Sequence, residues 1–154
     1  MTTLKLGLNM STGTLHQDAL TSCTGVKSIT VPQANTYFFH QSTGTGDIFG
    51  KKKANGVDAE SVLWISVAST SITIPASVTA IGRTALQSCP GLTSVTVASG
   101  STTFKVGCSG KVVLDNWNGG FYRARFAIGS AVEITIDSTV THLESTCFRG
   151  SEPQ

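Results

Sequence analysis

The stretch that decides the fold runs from Ser69 to Leu92 and reads S-T-S-I-T-I-P-A-S-V-T-A-I-G-R-T-A-L-Q-S-C-P-G-L. Its apolar residues follow neither a pure two-residue period nor a pure helical period. Alternation over Ile72 and Ile74 is typical of a β-strand, whereas the A-L-x-x-C spacing over residues 85–89 favours a short helical turn. The stretch therefore predicts one strand followed by one short helical turn.

The same spacing recurs elsewhere in the chain. Residues 6–23 carry it 66 positions before residues 72–89, and residues 134–148 carry it 62 positions after them. Within the first two copies a second strand pattern follows after 23 residues. A unit of this length cannot bury its apolar face alone, so the pattern predicts a mainly β solenoid whose stacked units share one core. The expected strands, in one parallel ladder, lie near residues 6–8, 29–31, 72–74, 95–97 and 134–136.

Two longer segments separate the repeat units. Both are rich in short apolar stretches divided by glycine-containing turns, which indicates inserted β-hairpins. Asn118-Gly119-Gly120 is a hairpin signal, because Asn and Gly tolerate a positive φ. We expect these hairpins to project from the solenoid and to offer a binding surface. The single repeat domain spans residues 1–154, with units near 3–31, 69–97 and 131–154 and insertions at 32–68 and 98–130.

The composition argues against nucleic-acid and membrane partners. Charged residues make up 13% of the chain and the net charge is +2. The one basic run, Lys51-Lys52-Lys53, is too short for a nucleic-acid surface and suggests a solvated loop tip. No segment approaches the roughly 20 apolar residues of a membrane helix. The N-terminus shows no signal peptide, so an export signal is expected only outside this sequence, if there is one.

Residues 72–92 resemble the BspA-like class of leucine-rich repeats. The pattern of that class is roughly I-x-I-P-x-x-V-x-x-I-G-x-x-A-F-x-x-C-x-x-L, and this chain reads I-T-I-P-A-S-V-T-A-I-G-R-T-A-L-Q-S-C-P-G-L. Asn35-Thr36-Tyr37 and residues 110–114 are similar to parts of the longer units of this family. The first copy departs from the pattern, with Asn9 in place of the proline. The resemblance implies a leucine-rich-repeat-like solenoid in a bacterial surface or secreted protein, and some such proteins are adhesins.

No pattern in the sequence indicates a catalytic or metal site. The four cysteines are too far apart for a paired zinc clamp, and the histidines lack metal-ligand spacing. Cys23 and Cys89 share one repeat position, which predicts small, buried, unbonded thiols, and Cys147 is interpreted in the same way. Cys108, in a glycine-flanked turn, is the best candidate for a reactive or bridged thiol, although an ordinary unbonded thiol is favoured there as well. We therefore expect no cofactor, no metal and no enzymatic activity.

The insertions carry the candidate partner-binding residues. Trp, Tyr and Arg are enriched at binding hot spots, and Trp117, Tyr122, Arg123 and Arg125 surround the Asn118 turn. Lys51–Lys53 form the second candidate contact. The alternative interpretation is that the aromatic and basic residues of the hairpin reflect ordinary strand alternation.

The sequence thus favours a non-enzymatic protein-binding or adhesion module. Its expected partner is another protein or a second copy of the chain, at an extracellular or cell-surface location. The alternative is a structural component of a larger assembly, such as a cell-envelope, fibre or phage-particle protein. The C-terminal unit shows no polar cap, which suggests a contact there.

Overall fold

Every regular element among the described residues is a β-strand. The computed structural model describes residues 2–11, 15, 19–20, 23, 25–43, 46–82, 85–86, 89, 91–129, 133–145 and 147–148, without the side chains of Thr43, Trp117 and Tyr122. The strands are β1 (Thr2–Lys5), β2 (Val26–Thr30), β3 (Phe38–Thr43), β4 (Gly46–Lys52), β5 (Ala59–Ile65), β6 (Ser71–Ile74), β7 (Ala80–Ile81), β8 (Ser94–Val97), β9 (Phe104–Gly107), β10 (Val112–Trp117), β11 (Gly120–Ala127) and β12 (His142–Leu143).

The chain is a mainly β solenoid, as its period predicts, but the short helical turns are not supported. No helix is assigned within the described ranges. Where a helical turn was expected after β7, Ala85 and Leu86 lie in an irregular turn. Both side chains are nonetheless buried, at 2% and 9% exposure. The apolar spacing therefore predicted burial correctly and the local backbone incorrectly.

Two short parallel pairs form the repeat ladder. β6 pairs with β8, with Ser71 opposite Ser94, a separation of 23 residues that confirms the predicted period. β1 pairs with β2, with Thr3 opposite Ser28, a separation of 25 residues. Because strand side chains alternate with a period of two, this two-residue shift leaves the same set of side chains facing inward.

The first strand lies earlier than predicted. It was expected near residues 6–8, but β1 ends at Lys5. Leu6 still donates its backbone N–H to the Thr30 carbonyl at 3.0 Å and is 8% exposed. Beyond it the chain turns, and Leu8 is 53% exposed. Leu8 is therefore not the inward-facing strand residue that the repeat alignment predicted.

The insertions form two sheets with the same strand order. The first sheet is β3-β4-β5-β7 and the second sheet is β9-β10-β11-β12. In each, three antiparallel strands are followed by a short parallel strand from the next repeat unit. The predicted hairpin turn is confirmed, since Asn118 has φ 54°, Gly119 has φ 84°, and Trp117 pairs with Gly120.

These sheets are layers between the units, so the expectation that they project from the solenoid is wrong. Val113 belongs to the apolar cluster of the middle unit, whereas Val112 and Leu114 belong to that of the C-terminal unit. Likewise, Ile48 packs with the middle unit and Phe49 with the N-terminal unit. All five side chains are at most 1% exposed, and each such burial stabilises the fold by about 1.5–3 kcal/mol. The layer order is N-terminal unit, first sheet, middle unit, second sheet, C-terminal unit.

The prediction of one continuous five-strand ladder is also wrong. The parallel pairs lie in two separate two-stranded sheets, and residues 134–136 are not part of a strand. The second sheet lies between the middle and C-terminal units, which keeps β8 from pairing with the next repeat. Ile134 and Ile136 pack instead on the far side of that sheet.

All four cysteines are free, and three are buried. The Cys89 thiol is 4% exposed and donates to the Ile65 carbonyl at 3.2 Å, and burial raises its pKa to about 12. Burial also raises the pKa of Cys147 to about 11 and raises that of Cys108, which is 1% exposed. Cys23 is half-buried, which departs from the full burial predicted for it.

Candidate partner-binding site

The β4–β5 hairpin carries the run Lys51–Lys53. Its loop is held by Asn55, whose side-chain oxygen accepts hydrogen bonds from the backbone N–H groups of Val57 at 3.0 Å and Asp58 at 3.1 Å. Gly56 has φ 70°, a conformation that favours glycine. The loop is thus shaped by its own hydrogen bonds and presents the lysines from a defined position.

The three lysines differ in their bonding. Lys52 Nζ donates to the Asn35 carbonyl at 2.8 Å, which fixes that side chain. Among the residues that the structure describes, no ion pair within 4.0 Å involves Lys51 or Lys53. All three are partly exposed. The ammonium groups of Lys51 and Lys53 therefore have no described carboxylate within ion-pair distance.

Two open clefts flank the lysines and meet at Glu60. The first cleft has a volume of about 310 Å³ and the second about 530 Å³. Tyr37, on the wall of the second cleft, is 45% exposed. The first cleft is lined by residues including Lys51, Glu60, Ser61, Thr79, Ala80 and Gly82. The second is lined by residues including Tyr37, Lys52, Lys53, Asn55, Gly56 and Glu60.

Small side chains leave the first cleft open. Lys51, Ser61 and Ala80 lie side by side on β4, β5 and β7. A hydroxymethyl and a methyl group fill little of the space beside the lysine. The corresponding row of the second sheet has larger or charged residues, namely Asp115, Arg123 and His142.

In the second sheet, ion pairs occupy that position. Arg123 binds the Asp115 carboxylate through Nε, at 2.9 and 3.1 Å, and through Nη2 at 2.6 Å. These hydrogen bonds raise the pKa of Arg123. Arg125 lies 3.3 Å from Glu144 and 3.5 Å from Asp115. The Asp115 side chain is only 7% exposed, so both arginines compensate a buried charge.

The predicted contact residues therefore fall into two groups. Lys51–Lys53 lie together at the clefts of the first sheet. Arg123 and Arg125 lie on the second sheet, with the middle unit between the two groups. Trp117 and Tyr122 have described backbones in β10 and β11, but their side chains are outside the description, so their contact role stays a prediction.

A comparison with known protein families matches the middle part of the chain. A model of the family described as BspA type leucine rich repeat region (6 copies) matches residues 59–115. The matched segment covers 57 of the 154 residues and is similar to BspA-type leucine-rich repeats. The match runs from β5 to Asp115 in β10, across the β6–β8 pair, and confirms the resemblance drawn from residues 72–92. Searches of the curated proteins and of the solved structures found no match.

Asn35 connects the first two layers of the chain. It is 1% exposed, and its Nδ2 donates to the carbonyls of Leu8 and Met10, each at 3.1 Å. Its Oδ1 accepts from the N–H groups of Tyr37 and Phe38, each at 2.9 Å. The side chain thus joins the N-terminal unit to the start of β3. The sequence marked Asn35 only as part of a family motif and did not predict this role.

Within the part of the chain that the structure describes, the remaining polar groups do not form a recognisable reaction centre. The closest grouping is His40, Ser42 and Asp47 in the first sheet. Ser42 donates to Asp47 at 2.6 Å, and His40 lies 3.6 Å from Asp47. A serine nucleophile would need its hydroxyl bonded to the histidine instead. Within the described residues, no group of three His, Cys, Asp or Glu could hold a metal ion, and no helix is long and apolar enough to cross a membrane.

Proposed function

We propose that this chain is a non-enzymatic protein-binding module of a bacterial surface or secreted repeat protein, and that it binds its partner at Lys51–Lys53 and the two clefts. One observation carries the proposal. The first cleft is open at a position that the second sheet, with the same strand order, fills with the Arg123–Asp115 ion pair. BspA-type proteins are typically surface or secreted repeat proteins, which supports the location.

The chemistry of the clefts favours an acidic polypeptide segment as the partner. Lys51 and Lys53 offer ammonium groups that no described carboxylate pairs. Tyr37 and Val57, at 45% and 76% exposure, add apolar area beside them. Glu60 lies between the clefts and would repel a carboxylate placed directly against it. The acidic residues of a bound segment would therefore lie beside the lysines rather than beside Glu60.

The hairpin of the second sheet has a lesser part in this proposal. Trp117 and Tyr122, near its turn in the sequence, are further proposed contacts for the same partner or for another one, since aromatic residues are effective anchors. Arg123 and Arg125 primarily hold β10, β11 and residue Glu144 together. The lysine run is therefore the primary contact.

Charge reversal at the lysine run is expected to weaken binding of acidic peptides strongly. Selection from a phage-displayed random peptide library against the wild-type chain should enrich clones rich in Asp and Glu. The variant Lys51→Glu/Lys53→Glu should bind those clones about tenfold more weakly or worse. Wild-type binding should also weaken as salt is raised, because the contacts are exposed ion pairs.

A matched control separates this site from general charge effects. Lys27→Glu/Lys111→Glu makes the same change in net charge at two exposed lysines away from the clefts. It should bind the selected peptides like the wild type. Equal loss in both variants would show non-specific attraction. A library that yields no acid-rich clones would contradict the proposed partner chemistry.

A structural role in a larger assembly is the second candidate. It is favoured by exposed apolar residues outside the clefts, among them Leu8 and Leu143, at 53% and 55% exposure. That role uses surfaces other than the clefts, so both functions can belong to one chain.

A further inference from the structure

A third open groove lies between the middle unit and the second sheet. Its volume is about 590 Å³, and its walls are formed by β8 with the loop that follows it and by β9. Its described lining includes no β6 residue, so the groove lies on the side of β8 away from β6. Among the described residues, β8 and β9 are each paired with another strand along one edge only. The groove therefore lies between two strand edges that have no described neighbour.

The backbone of β8 directs peptide groups toward this groove. Ser94 and Ala98 donate their N–H groups to the carbonyls of Thr70 and Ile74, on the β6 side, at 3.2 and 2.9 Å. Because successive residues of a strand direct their N–H and C=O groups to opposite edges, the peptide groups of residues 95 and 97 point away from β6. Within the described part of the chain, these groups make no hydrogen bond.

β9 presents the same kind of edge from the other wall. The Thr103 carbonyl accepts a hydrogen bond from the Asn116 N–H at 2.8 Å, on the β10 side. By the same alternation, the peptide groups of Phe104 and Val106 point away from β10. The Phe104 N–H is bonded to the Ser101 hydroxyl at 3.2 Å, whereas no described group bonds the peptide groups of Val106. An unpaired strand edge of this kind is a template for a further strand.

The repeat strand before the first sheet carries a cap that β8 lacks. In β2 the Lys27 carbonyl accepts a hydrogen bond from the Ser66 hydroxyl at 2.8 Å. Ser66 and Ile128 are counterparts, since each donates its backbone N–H to the hairpin of its own sheet, at Asp47 and Lys111 respectively. Because isoleucine has no hydroxyl group, the same position beside β8 cannot cap that strand.

The loop after β8 also lacks a contact that the matching loop has. Asn35 and Ser101 are counterparts, since their side-chain oxygens accept the N–H groups of Phe38 at 2.9 Å and Phe104 at 3.2 Å. Asn35 additionally donates to the N-terminal unit, and the shorter Ser101 side chain makes no such described bond. Residues 98–101 therefore line the groove and do not close it.

The walls of the groove favour an uncharged occupant. Among the described lining residues only Lys105 is charged. Its Nζ lies 4.8 Å from the ring centre of Phe121, which packs on the opposite face of the second sheet. The other lining residues are apolar or carry a hydroxyl group, and Val97 and Val106 are partly buried against the middle cluster. A charged segment would find no partner for its charge here.

We propose that this groove binds an extended, uncharged segment of a partner polypeptide, which adds to β8 as a further strand. The peptide groups of Val95 and Val97 supply the hydrogen bonds, and those of Val106 lie on the opposite wall. In strand addition, main-chain hydrogen bonds give the affinity and alternate side chains give the specificity. Segments rich in β-branched residues fit best, because these residues favour an extended backbone. The groove is separate from the Lys51–Lys53 clefts and does not depend on the acidic partner proposed there.

Selection from a random heptapeptide library against the full-length Lys51→Glu/Lys53→Glu variant tests this proposal, because that variant lacks the basic contact. The enriched peptides should be rich in Val, Ile and Thr and poor in Asp and Glu. Adding Val97→Pro to that variant should weaken their binding about tenfold or more, since proline removes the N–H that faces the groove without removing a bond to β6.

Val97→Ala is the matched control, because it removes the same side chain but keeps the N–H. It should bind the peptides within about twofold of its parent. Equal binding losses in the proline and alanine variants would overturn the proposal, since the groove would then recognise side chains only. A selection that yields no uncharged, β-branched peptides would also overturn it.

Amide hydrogen exchange gives a second measurement that does not require the proline variant to fold. Without peptide, the N–H groups of Val95 and Val97 should exchange faster than that of Ala98, which is bonded to Ile74. A saturating selected peptide should slow exchange at Val95 and Val97 about tenfold or more. Unchanged exchange at both residues would contradict strand addition. Binding of acidic peptides by the otherwise wild-type chain should not change with Val97→Ala, so the two proposals fail separately.

Discussion

Gly50→Ala is expected to lower the free energy of unfolding by about 3 kcal/mol. Gly50 lies in β4, where the pairing with β5 shifts register between Phe49 and Gly50. A Cβ atom at this position would overlap the backbone carbonyl of Ser61 and press on the ring of Phe39. Apolar clusters cover both faces of the first sheet, so the strands have little room to move apart. A single methyl group should therefore disturb the layer between the first two units.

Chemical denaturation with urea measures this effect, and Gly25→Ala is the matched control. No atom lies within 4 Å of a Cβ built on Gly25, which is exposed in a turn. Gly25→Ala should leave the unfolding free energy nearly unchanged. Gly50→Ala should also lower the melting temperature by roughly 6–12 °C. Equal stability of the two variants would show that β4 and β5 are not packed as closely as described.

Asn35→Ala is expected to lower the unfolding free energy by about 2–4 kcal/mol. The substitution removes all four side-chain hydrogen bonds of a residue that is 1% exposed. The N–H groups of Tyr37 and Phe38 would lose their acceptor, and the Phe38 bond is buried. A buried donor without a partner is costly, which places this loss well above that of an ordinary surface substitution.

Asn55→Ala is the control for this prediction. Asn55 also accepts hydrogen bonds from two backbone N–H groups, but it is exposed and water can replace its side chain. Its loss should cost no more than about 1 kcal/mol. Asn35→Asp tests the two hydrogen bonds that Nδ2 donates. It keeps an acceptor oxygen for Tyr37 and Phe38, but it removes the donor and places a negative charge near the carbonyls of Leu8 and Met10. Full stability of either Asn35 variant would contradict the joining role of this residue.

The sequence predicted β6, β8 and the β10–β11 hairpin correctly because each carries a local signal, whereas it placed the first strand too late and expected a strand at residues 134–136 that is not there. The alternation at Ile72 and Ile74 located β6, and the 23-residue period located β8. The Asn118-Gly119 turn located the β10–β11 hairpin, because positive φ is rare in other residues. These features depend on neighbouring residues in the chain.

The arrangement of the strands could not be predicted in the same way. Alternation of apolar residues shows which side chains of a strand share a buried face. It does not show which other strand pairs with that strand in the sheet. The apolar run at Val112–Leu114 contains no polar residue, and only the structure shows that its two faces pack against different units. This double burial is why the insertions form layers and why residues 134–136 do not join β8.

The candidate site was predicted only in part. The lysine run is visible in the sequence, and its place at a hairpin follows from the glycines and asparagine around it. The first cleft depends on Ser61 and Ala80 lying beside Lys51, which requires the register of three strands. The ion pair of Arg123 with Asp115 requires the register of the second sheet in the same way.

Through-space NMR contacts between backbone protons test the layered arrangement most directly. The structure predicts contacts between β5 and β7, at Val62 and Ile81, and between β11 and β12, at Ala124 and Leu143. It predicts no contacts that join β8 to residues 134–136. Contacts between Val95–Val97 and residues 134–136, in the absence of those at β7 and β12, would instead show one uninterrupted ladder and contradict the separation of the repeat units by sheets.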